Sequence, residues 1–347
     1  MTNLSTEHWH YLHTKPLAQG IIKSRPEDFV VIEELGYEPS SEGEHIYLWV
    51  EKIGLNTAFV AEQIAKFCQQ PLRAVSYAGR KDKHAVTRQW FGVHVPGKKQ
   101  FVWEDMALDG FKVLKAIRHN KKLRIGALKG NRFELTVRQL TDTQDVEQRL
   151  QKISSTGVPN YFGSQRFGDT RYHPNGGNLD LAERMIGGEA IKNRNKRSMA
   201  VSALRSWLFN EYIDHRLVDG CWDSPLSGDV CVLNGSNSFF VMQQNDSTIE
   251  NRLAQNDISL SAPMWGDGAL DSQEDAYQFE QKIAKQQQKV CTMLASLGLK
   301  QERRMIRLIP QNLQWQLSSD TLNIQFSLPS GCFATSVLRE VLNAHST

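Results

Sequence analysis

The sequence predicts a mixed α/β (α+β) fold whose main sheet is interrupted by an inserted segment. Short runs rich in β-branched and aromatic residues alternate with helix-periodic segments over the first third of the chain. Near Gly157 the composition shifts to a stretch rich in Gly, Asn, Pro and aromatic residues. Alternating strand patterns return near Gln314, so we expect the C-terminal strands to complete the sheet that begins at the N-terminus.

The individual elements follow from local patterns. Asn56 is a candidate N-cap for a helix through Cys68, because Val60, Ile64 and Phe67 recur at helical spacing. Strands are predicted at residues 29–32, 45–50, 75–78, 89–95, 111–116, 133–138, 314–317 and 322–328. Further helices are predicted at 142–153, 198–217, 272–297 and 335–342, and short strands and turns at 221–268.

Composition narrows the class of protein. The 347 residues are 23% charged and 40% hydrophobic, which is typical of a globular protein. No run approaches the roughly 20 apolar residues of a membrane span, and the polar N-terminus lacks a secretory signal, so we expect a cytoplasmic protein. Five scattered cysteines without a C-x-x-C pair argue against a disulfide framework or a zinc site.

Basic residues are clustered although the net charge is only +3. The clusters lie at residues 80–84, 118–124, 192–197 and 303–307. Any one of them is compatible with an ordinary solvated face. Their recurrence beside Gly, Asn and aromatic residues favours a nucleic acid held along a particular surface.

Asp82 lies between two predicted strands, among Arg80, Lys81, Lys83 and His84. Cations within a few ångströms favour the ionised form of a carboxylate, which can then act as a nucleophile or a base towards an anionic substrate. A turn aspartate that caps backbone groups is the alternative. Asp82 and His84 could also form half of a metal site, but no other dense cluster of ligands accompanies them, so we predict no metal.

Two other segments could contact RNA. Residues 126–133 combine glycines with Lys129 and Asn131, as in a loop that approaches a phosphate or a base edge, although a plain hairpin turn fits equally well. Residues 157–168 interleave aromatic residues with Asn, Gln and Arg166, which suits stacking on unpaired bases. A packed loop between domains is the alternative for this second segment.

Taken together, these segments resemble the TruD family of tRNA pseudouridine synthases. The matching segments, in chain order, are 23–29, 79–87, 123–133, 157–168, 193–198 and 328–340. They span nearly the whole chain, although residues 218–268 carry no recognisable motif of the family. Cys332 stands where the family pattern suggests another small residue.

The resemblance implies a reaction and its residues. Family members convert uridine 13 in the D-arm of tRNA, usually tRNA(Glu), to pseudouridine, breaking the N1–C1′ bond and rejoining the ring through C5 without a cofactor or metal. The family's essential aspartate matches Asp82. A family lysine that could pair with this aspartate matches Lys23. Phe29, Asn131 and Phe333 match substrate-contacting residues, although spacing alone makes both phenylalanines more typical of a core. Whether Asp82 attacks C1′ or deprotonates C2′ stays open.

The resemblance also implies the domain organisation and the partner. A pseudouridine-synthase catalytic domain with a mixed, largely antiparallel sheet is expected at 1–156 and 309–347, with an inserted α/β TRUD domain at 157–308 and the RNA between them. We expect a monomer that binds tRNA, without a membrane or protein partner. Expected RNA contacts are Arg80, Lys81, Lys83, His84, Lys129, Arg166, Lys196 and Arg197. The alternative is a non-catalytic tRNA-binding or RNA-folding protein.

Overall fold

The predicted mixed α/β class is confirmed by the computed structural model, which describes residues 4–168, 170, 173–236, 238–243 and 247–346. Its helices are α1 (Thr57–Phe67), α2 (Thr143–Thr156), α3 (Ser164–Phe167), α4 (Gly177–Ile186), α5 (Arg194–Val218), α6 (Ser247–Ala254), α7 (Glu274–Gln286), α8 (Gln288–Ser296) and α9 (Ala334–Val341). Its strands are β1 (Gln19–Ile22), β2 (Phe29–Leu35), β3 (His45–Lys52), β4 (Val75–Tyr77), β5 (Val86–His94), β6 (Phe111–His119), β7 (Leu128–Val137), β8 (Val158–Pro159), β9 (Val230–Leu233), β10 (Phe239–Val241), β11 (Ile258–Met264), β12 (Glu302–Met305), β13 (Arg307–Leu308), β14 (Gln311–Leu317), β15 (Leu322–Pro329) and β16 (Asn343–Ser346).

The chain forms two compact units. The large-sheet unit comprises residues 16–155, 310–334 and 341–347, and the helix-rich unit comprises 1–15, 156–309 and 335–340. Residues 4–15 therefore pack with the helix-rich unit. The division into a catalytic domain and an inserted domain stays a prediction. No helix among the described residues is long and apolar enough to cross a membrane.

The large sheet has the strand order β14-β15-β7-β2-β5-β3-β6, and β4 also pairs with β5. Within it only β2 and β5 run parallel. Strand β15 pairs along its whole length with β7, from Leu322 opposite Val137 to Pro329 opposite Gly130. The prediction that C-terminal strands complete the N-terminal sheet is therefore confirmed.

One face of the large sheet carries an apolar core beneath α1. Successive inward positions of β3 include Leu48 and Val50, which pack against Val60 and Ile64 of α1. All four side chains are fully buried, as the two-residue period of a strand and the 3.6-residue period of a helix require. The same alternation places Lys52 on this inward face, at the end of β3, where it is also fully buried.

Strand β7 begins earlier than predicted, so Asn131 lies in a strand and not in a loop. The Gly-Lys-Gly-Asn composition suggested a turn, but pairing with β2 on one side and β15 on the other keeps this segment extended. A Cβ on Gly130 would lie 2.3 Å from the carbonyl oxygen of Leu328, so the close approach of β15 requires glycine there.

Two predictions for the helix-rich unit are wrong in detail. The segment 272–297 forms two helices, because Gln287 leaves helical geometry with φ −105° and ψ 32°. The segment 221–268, predicted as strands and turns, also contains α6. Helix α6 is short and has no buried residue, so a core-facing apolar stripe does not mark it in the sequence.

A buried ion pair lies in the core of the helix-rich unit. The guanidinium of Arg216, near the end of α5, pairs with the carboxylate of Asp229, just before β9, and the two side chains are 1% and 0% exposed. Arg216 Nη1 also donates to the carbonyl oxygen of Cys221 at 3.1 Å. The backbone N–H of Leu226 donates to Asp229 at 2.8 Å. Each charge is thus compensated without solvent.

We expect Asp229→Asn to lower the free energy of unfolding by about 3–5 kcal/mol, because it leaves the Arg216 guanidinium buried without a counter-charge. Urea denaturation followed by circular dichroism measures this. Glu189→Gln is the matched control, since Glu189 pairs with Arg184 at the surface, and it should leave the denaturation midpoint unchanged. Equal midpoints for wild type and Asp229→Asn would contradict the assigned role.

Candidate active site

Asp82 lies in the loop 78–85, between β4 and β5, as predicted. Its Oδ2 accepts a hydrogen bond from the ammonium of Lys23. Its Oδ1 accepts one from the backbone N–H of His84 at 3.0 Å. The two side chains are 17% and 14% exposed for Asp82 and Lys23, so the carboxylate is held on the inner side but keeps an opening to solvent.

The backbone of this loop is tethered by buried side chains. Gln89 Nε2, on β5, donates to the carbonyl oxygen of Gly79 at 3.4 Å. The backbone N–H of Lys81 donates to Oγ1 of Thr57, the first residue of α1, at 3.0 Å. Thr57 Oγ1 in turn donates to Gln89 Oε1 at 3.0 Å. The hydrogen bonds from Gln89 and Thr57 to the loop are therefore linked to each other, and together they restrict the backbone of the loop next to Asp82.

A third tether acts at Asp82 itself. The buried Lys52 ammonium donates to the backbone carbonyl oxygen of Asp82 at 3.1 Å and to that of Leu55 at 2.9 Å. Lys52 thereby joins the turn after β3 to the Asp82 loop. Burial lowers the pKa of Lys52 to about 8, although the nearby Asp82 carboxylate opposes this effect.

Lys81 turns towards the sheet and pairs with Glu33 of β2. Its Nζ lies 2.6 Å from Glu33 Oε1, and the two side chains are 10% and 0% exposed. The backbone N–H of Trp90 donates to Glu33 Oε2 at 2.8 Å. Burial raises the pKa of Glu33, and the Lys81 charge opposes this rise. The structure thus gives Lys81 a supporting role that its sequence position did not reveal.

Phe29 begins β2 beside the Lys23–Asp82 pair. The Lys23 ammonium lies 4.5 Å from the centroid of the Phe29 ring, a cation–π contact. Arg138 donates two hydrogen bonds to the carboxylate of the preceding residue, Asp28, from Nε to Oδ2 at 2.9 Å and from Nη2 to Oδ1 at 2.7 Å. These hydrogen bonds lower the pKa of Asp28. They fix the backbone at the point where the aromatic ring enters the site.

Asn131 faces the same side of the sheet as Phe29 and Glu33. It lies directly opposite Glu33 on β2 and Leu328 on β15, and directly opposite residues share a face. Asn131 is 8% exposed, and its Oδ1 is buried without a hydrogen-bond partner among the described residues. An unpaired buried oxygen costs roughly 1–3 kcal/mol, so this amide is not explained by the contacts of the fold alone.

The other predicted residues divide between the two units. Phe333 is half-buried in the loop between β15 and α9, within the large-sheet unit. Of the basic residues expected to contact RNA in this unit, four are exposed: Arg80, Lys83, His84 and Lys129. The helix-rich unit holds Arg166, Lys196 and Arg197, of which the last two are exposed in the first turn of α5. Arg166 Nη1 donates to Ser202 Oγ at 2.9 Å.

The site offers one carboxylate beside one ammonium. Within residues 4–168, 170, 173–236, 238–243 and 247–346, no group of three or more His, Cys, Asp or Glu is arranged to hold a metal. The contact between Asp82 and His84 uses the histidine backbone and not its ring. A supported carboxylate of this kind can act as a nucleophile or a base.

Sequence reasoning missed the supporting residues Glu33, Lys52, Thr57 and Gln89. A signal for Glu33 and Lys52 was present, because each continues the inward alternation of an otherwise apolar strand face. A charged residue at such a position needs a buried partner. Gln89 carried a similar signal, because it alternates with the buried Phe91 and Val93 on β5, whereas Thr57 at the start of α1 carried none.

Comparison with a solved structure defines the class of fold. The chain superposes with a TM-score of 0.67 on a protein assigned as tRNA pseudouridine synthase D (TruD) from Methanosarcina mazei, at 20% sequence identity. The match covers 98% of this chain and 96% of that one. The chain therefore has the same fold as that protein.

Sequence comparison identifies the family. The model of the family described as tRNA pseudouridine synthase D (TruD) matches residues 6–176 and 188–341. A tRNA pseudouridine synthase D from Pseudoalteromonas atlantica is 58% identical over 343 residues, covering 99% of this chain and 98% of the relative. One from Colwellia psychrerythraea is 44% identical, covering 96% and 92%. The chain belongs to the TruD family of tRNA pseudouridine synthases, which confirms the resemblance.

We expect Glu33→Gln to lower the free energy of unfolding by about 3 kcal/mol, because the Lys81 ammonium loses its buried counter-charge while the shape of the side chain is kept. Urea denaturation measures the change. Glu34→Gln on the other face of β2 is the matched control and should have little effect, since Glu34 is only partly buried. A larger loss in Glu34→Gln than in Glu33→Gln would refute the assignment.

Proposed function

We propose that this protein isomerises uridine 13 in the D-arm of tRNA, with tRNA(Glu) as a substrate, to pseudouridine, and that Asp82 is its catalytic residue. The observation that carries the proposal is the Asp82 carboxylate, partly open to solvent, paired with Lys23 and set in a loop with buried tethers. Family membership supports the reaction class.

The chemistry requires little more than this carboxylate. The N1–C1′ bond of the uridine breaks, the uracil turns within the site, and C5 bonds to C1′. The C5 proton then leaves and restores the aromatic ring. Asp82 serves either as the nucleophile at C1′ or as the base at C2′, and both roles need an ionised carboxylate beside the ribose. The Lys23 ammonium, which donates to Oδ2, balances the charge of this carboxylate.

The uridine must leave the stacked RNA to reach Asp82. Unstacking costs a few kcal/mol, and aromatic stacking returns roughly 1–3 kcal/mol per base. Phe29 lies next to the Lys23–Asp82 pair but is only 6% exposed, so we assign the stacking role to Phe29 and Phe333 on the strength of the family pattern. The unpaired Oδ1 of Asn131 can accept a hydrogen bond from the uracil N3–H.

Exposed basic residues in both units supply contacts for the tRNA backbone, and clustered charge is more useful for this than a high net charge. Their phosphate contacts hold and orient the RNA but carry no sequence information. We propose that the reaction takes place in the cytoplasm. Selection of the D-arm follows from the family resemblance.

We expect Asp82→Asn to lower the rate of pseudouridine formation at least about 10³-fold, because it removes the reacting carboxylate and keeps its shape. Tritium release from tRNA that carries uridine tritiated at C5 measures the rate. Asp109→Asn, at an exposed carboxylate outside the site, should be as active as wild type. Undiminished release by Asp82→Asn would refute the catalytic role, and no release by wild type would favour a non-catalytic tRNA-binding protein.

We expect Asn131→Leu to lower kcat/KM about 10- to 100-fold, corresponding to roughly 1–3 kcal/mol for a lost hydrogen bond to the base. The variant should be at least as stable as wild type, since it removes an oxygen that is buried without a partner. Steady-state kinetics and urea denaturation together test this. A stability loss that matches the activity loss would instead make Asn131 a structural residue.

A further inference from the structure

Lys52 is a charged residue that the apolar core does not explain. It continues the inward face of β3 after Leu48 and Val50, yet its side chain carries an ammonium group with no exposure to solvent. A charge in such a place is unfavourable unless fixed hydrogen bonds compensate it. The presence of a lysine at this buried position must therefore be explained by the groups that its ammonium contacts.

What it contacts is the residue assigned to catalysis. Lys52 Nζ bridges the carbonyl oxygens of Leu55 and Asp82, at 2.9 and 3.1 Å. The Leu55 carbonyl belongs to the turn between β3 and α1, so Lys52 links the backbone of Asp82 to the sheet and to the start of the helix. A charged donor forms stronger hydrogen bonds than a neutral one, so the hold on Asp82 depends on the lysine proton.

The charged groups around Lys52 are few. Asp82 and Glu33 favour its ammonium form, and Lys81 disfavours it. Glu33 is already paired with Lys81, and the Asp82 carboxylate is bonded to Lys23 and the His84 N–H. Burial dominates and lowers the pKa of Lys52 to about 8, within reach of ordinary assay conditions.

We propose that the Lys52 ammonium is a positioning group that holds Asp82 in its productive place through the Asp82 backbone carbonyl, and that turnover falls when this ammonium loses its proton. The proposal rests on the proposed function of Asp82. Lys52 acts on Asp82 through a hydrogen bond to its backbone carbonyl oxygen, so its role is one of positioning. Loss of its proton weakens the hold on a loop whose displacement by about 1 Å can lower a rate about 100-fold.

The test is the pH dependence of kcat, measured by tritium release from saturating tRNA between pH 6.5 and pH 9. For wild type we expect kcat to fall with rising pH above about 8, as one proton is lost. Lys52→Met should have a kcat lowered about 10- to 100-fold, a KM close to wild type and no such fall. Lys52→Arg should recover part of the rate and stay flat to pH 9, because a guanidinium keeps its charge.

Lys66→Met, at an exposed lysine in the last turn of α1, is the matched control and should show the wild-type profile. If the fall in kcat above pH 8 came from deprotonation of the uracil N3–H, it would also occur in both Lys52 variants. A fall in both variants would overturn the proposal. Wild-type kcat in Lys52→Met would overturn it as well. If Lys52→Met does not fold, the wild-type and Lys52→Arg profiles decide the question by the same criterion.

Failure of this proposal is distinguishable from failure of the proposed function. If Asp82→Asn is inactive and Lys52→Arg keeps the wild-type pH profile, Asp82 remains the catalytic residue and only the positioning role of Lys52 is refuted.

The free energy of unfolding supplies a readout independent of activity. Because the folded pKa lies below the unfolded value of about 10.5, the folded state binds fewer protons between pH 8 and 10.5, and wild type should gain stability relative to Lys52→Met as pH rises through that window.

Discussion

The ion pair between Lys23 and Asp82 is the interaction on which the proposed site depends. It places a compensated carboxylate, whose Oδ2 accepts from the ammonium, at a partly open position where a ribose can approach. The same ammonium lies against the Phe29 ring, so a single cation sets both the charge and one wall of the site. Lys23 adopts φ +59°, an uncommon left-handed conformation that the surrounding contacts must maintain.

The buried polar network beneath the loop explains how that pair is kept in place. Gly79, Lys81 and Asp82 are each held at a backbone atom by a buried side chain from β5, α1 or β3. Regular secondary structure holds its side chains more rigidly than a loop does, so the loop takes its precision from the sheet and the helix. Glu33 adds a buried counter-charge for Lys81. We therefore expect a change in any of these supports to affect both the stability of the protein and the position of the Asp82 carboxylate.

Much of the fold was predictable from the sequence, because strands such as β2, β3 and β15 carry clear alternation and α1 carries a clear helical period. The placement of Asn131 in β7 was not, because a glycine-rich segment becomes a strand only when partners pair on both sides. Asp82 was identifiable as a charged loop residue, and the family pattern supplied its proposed role. The Lys52 contact joins residues 30 positions apart, and no local pattern encodes such a distance. Boundaries and tethers thus depend on tertiary packing, whereas element types depend mainly on local periodicity.

A double-mutant cycle on Lys23 and Asp82, measured as single-turnover rates of pseudouridine formation, tests directly whether the proposed site depends on their ion pair. If the two residues act as one unit, Lys23→Met and Asp82→Asn should each lower the rate strongly, and the double variant should be no slower than Asp82→Asn alone. Strictly multiplicative effects would show that Lys23 and Asp82 act independently, and would contradict the account of the site given by their ion pair.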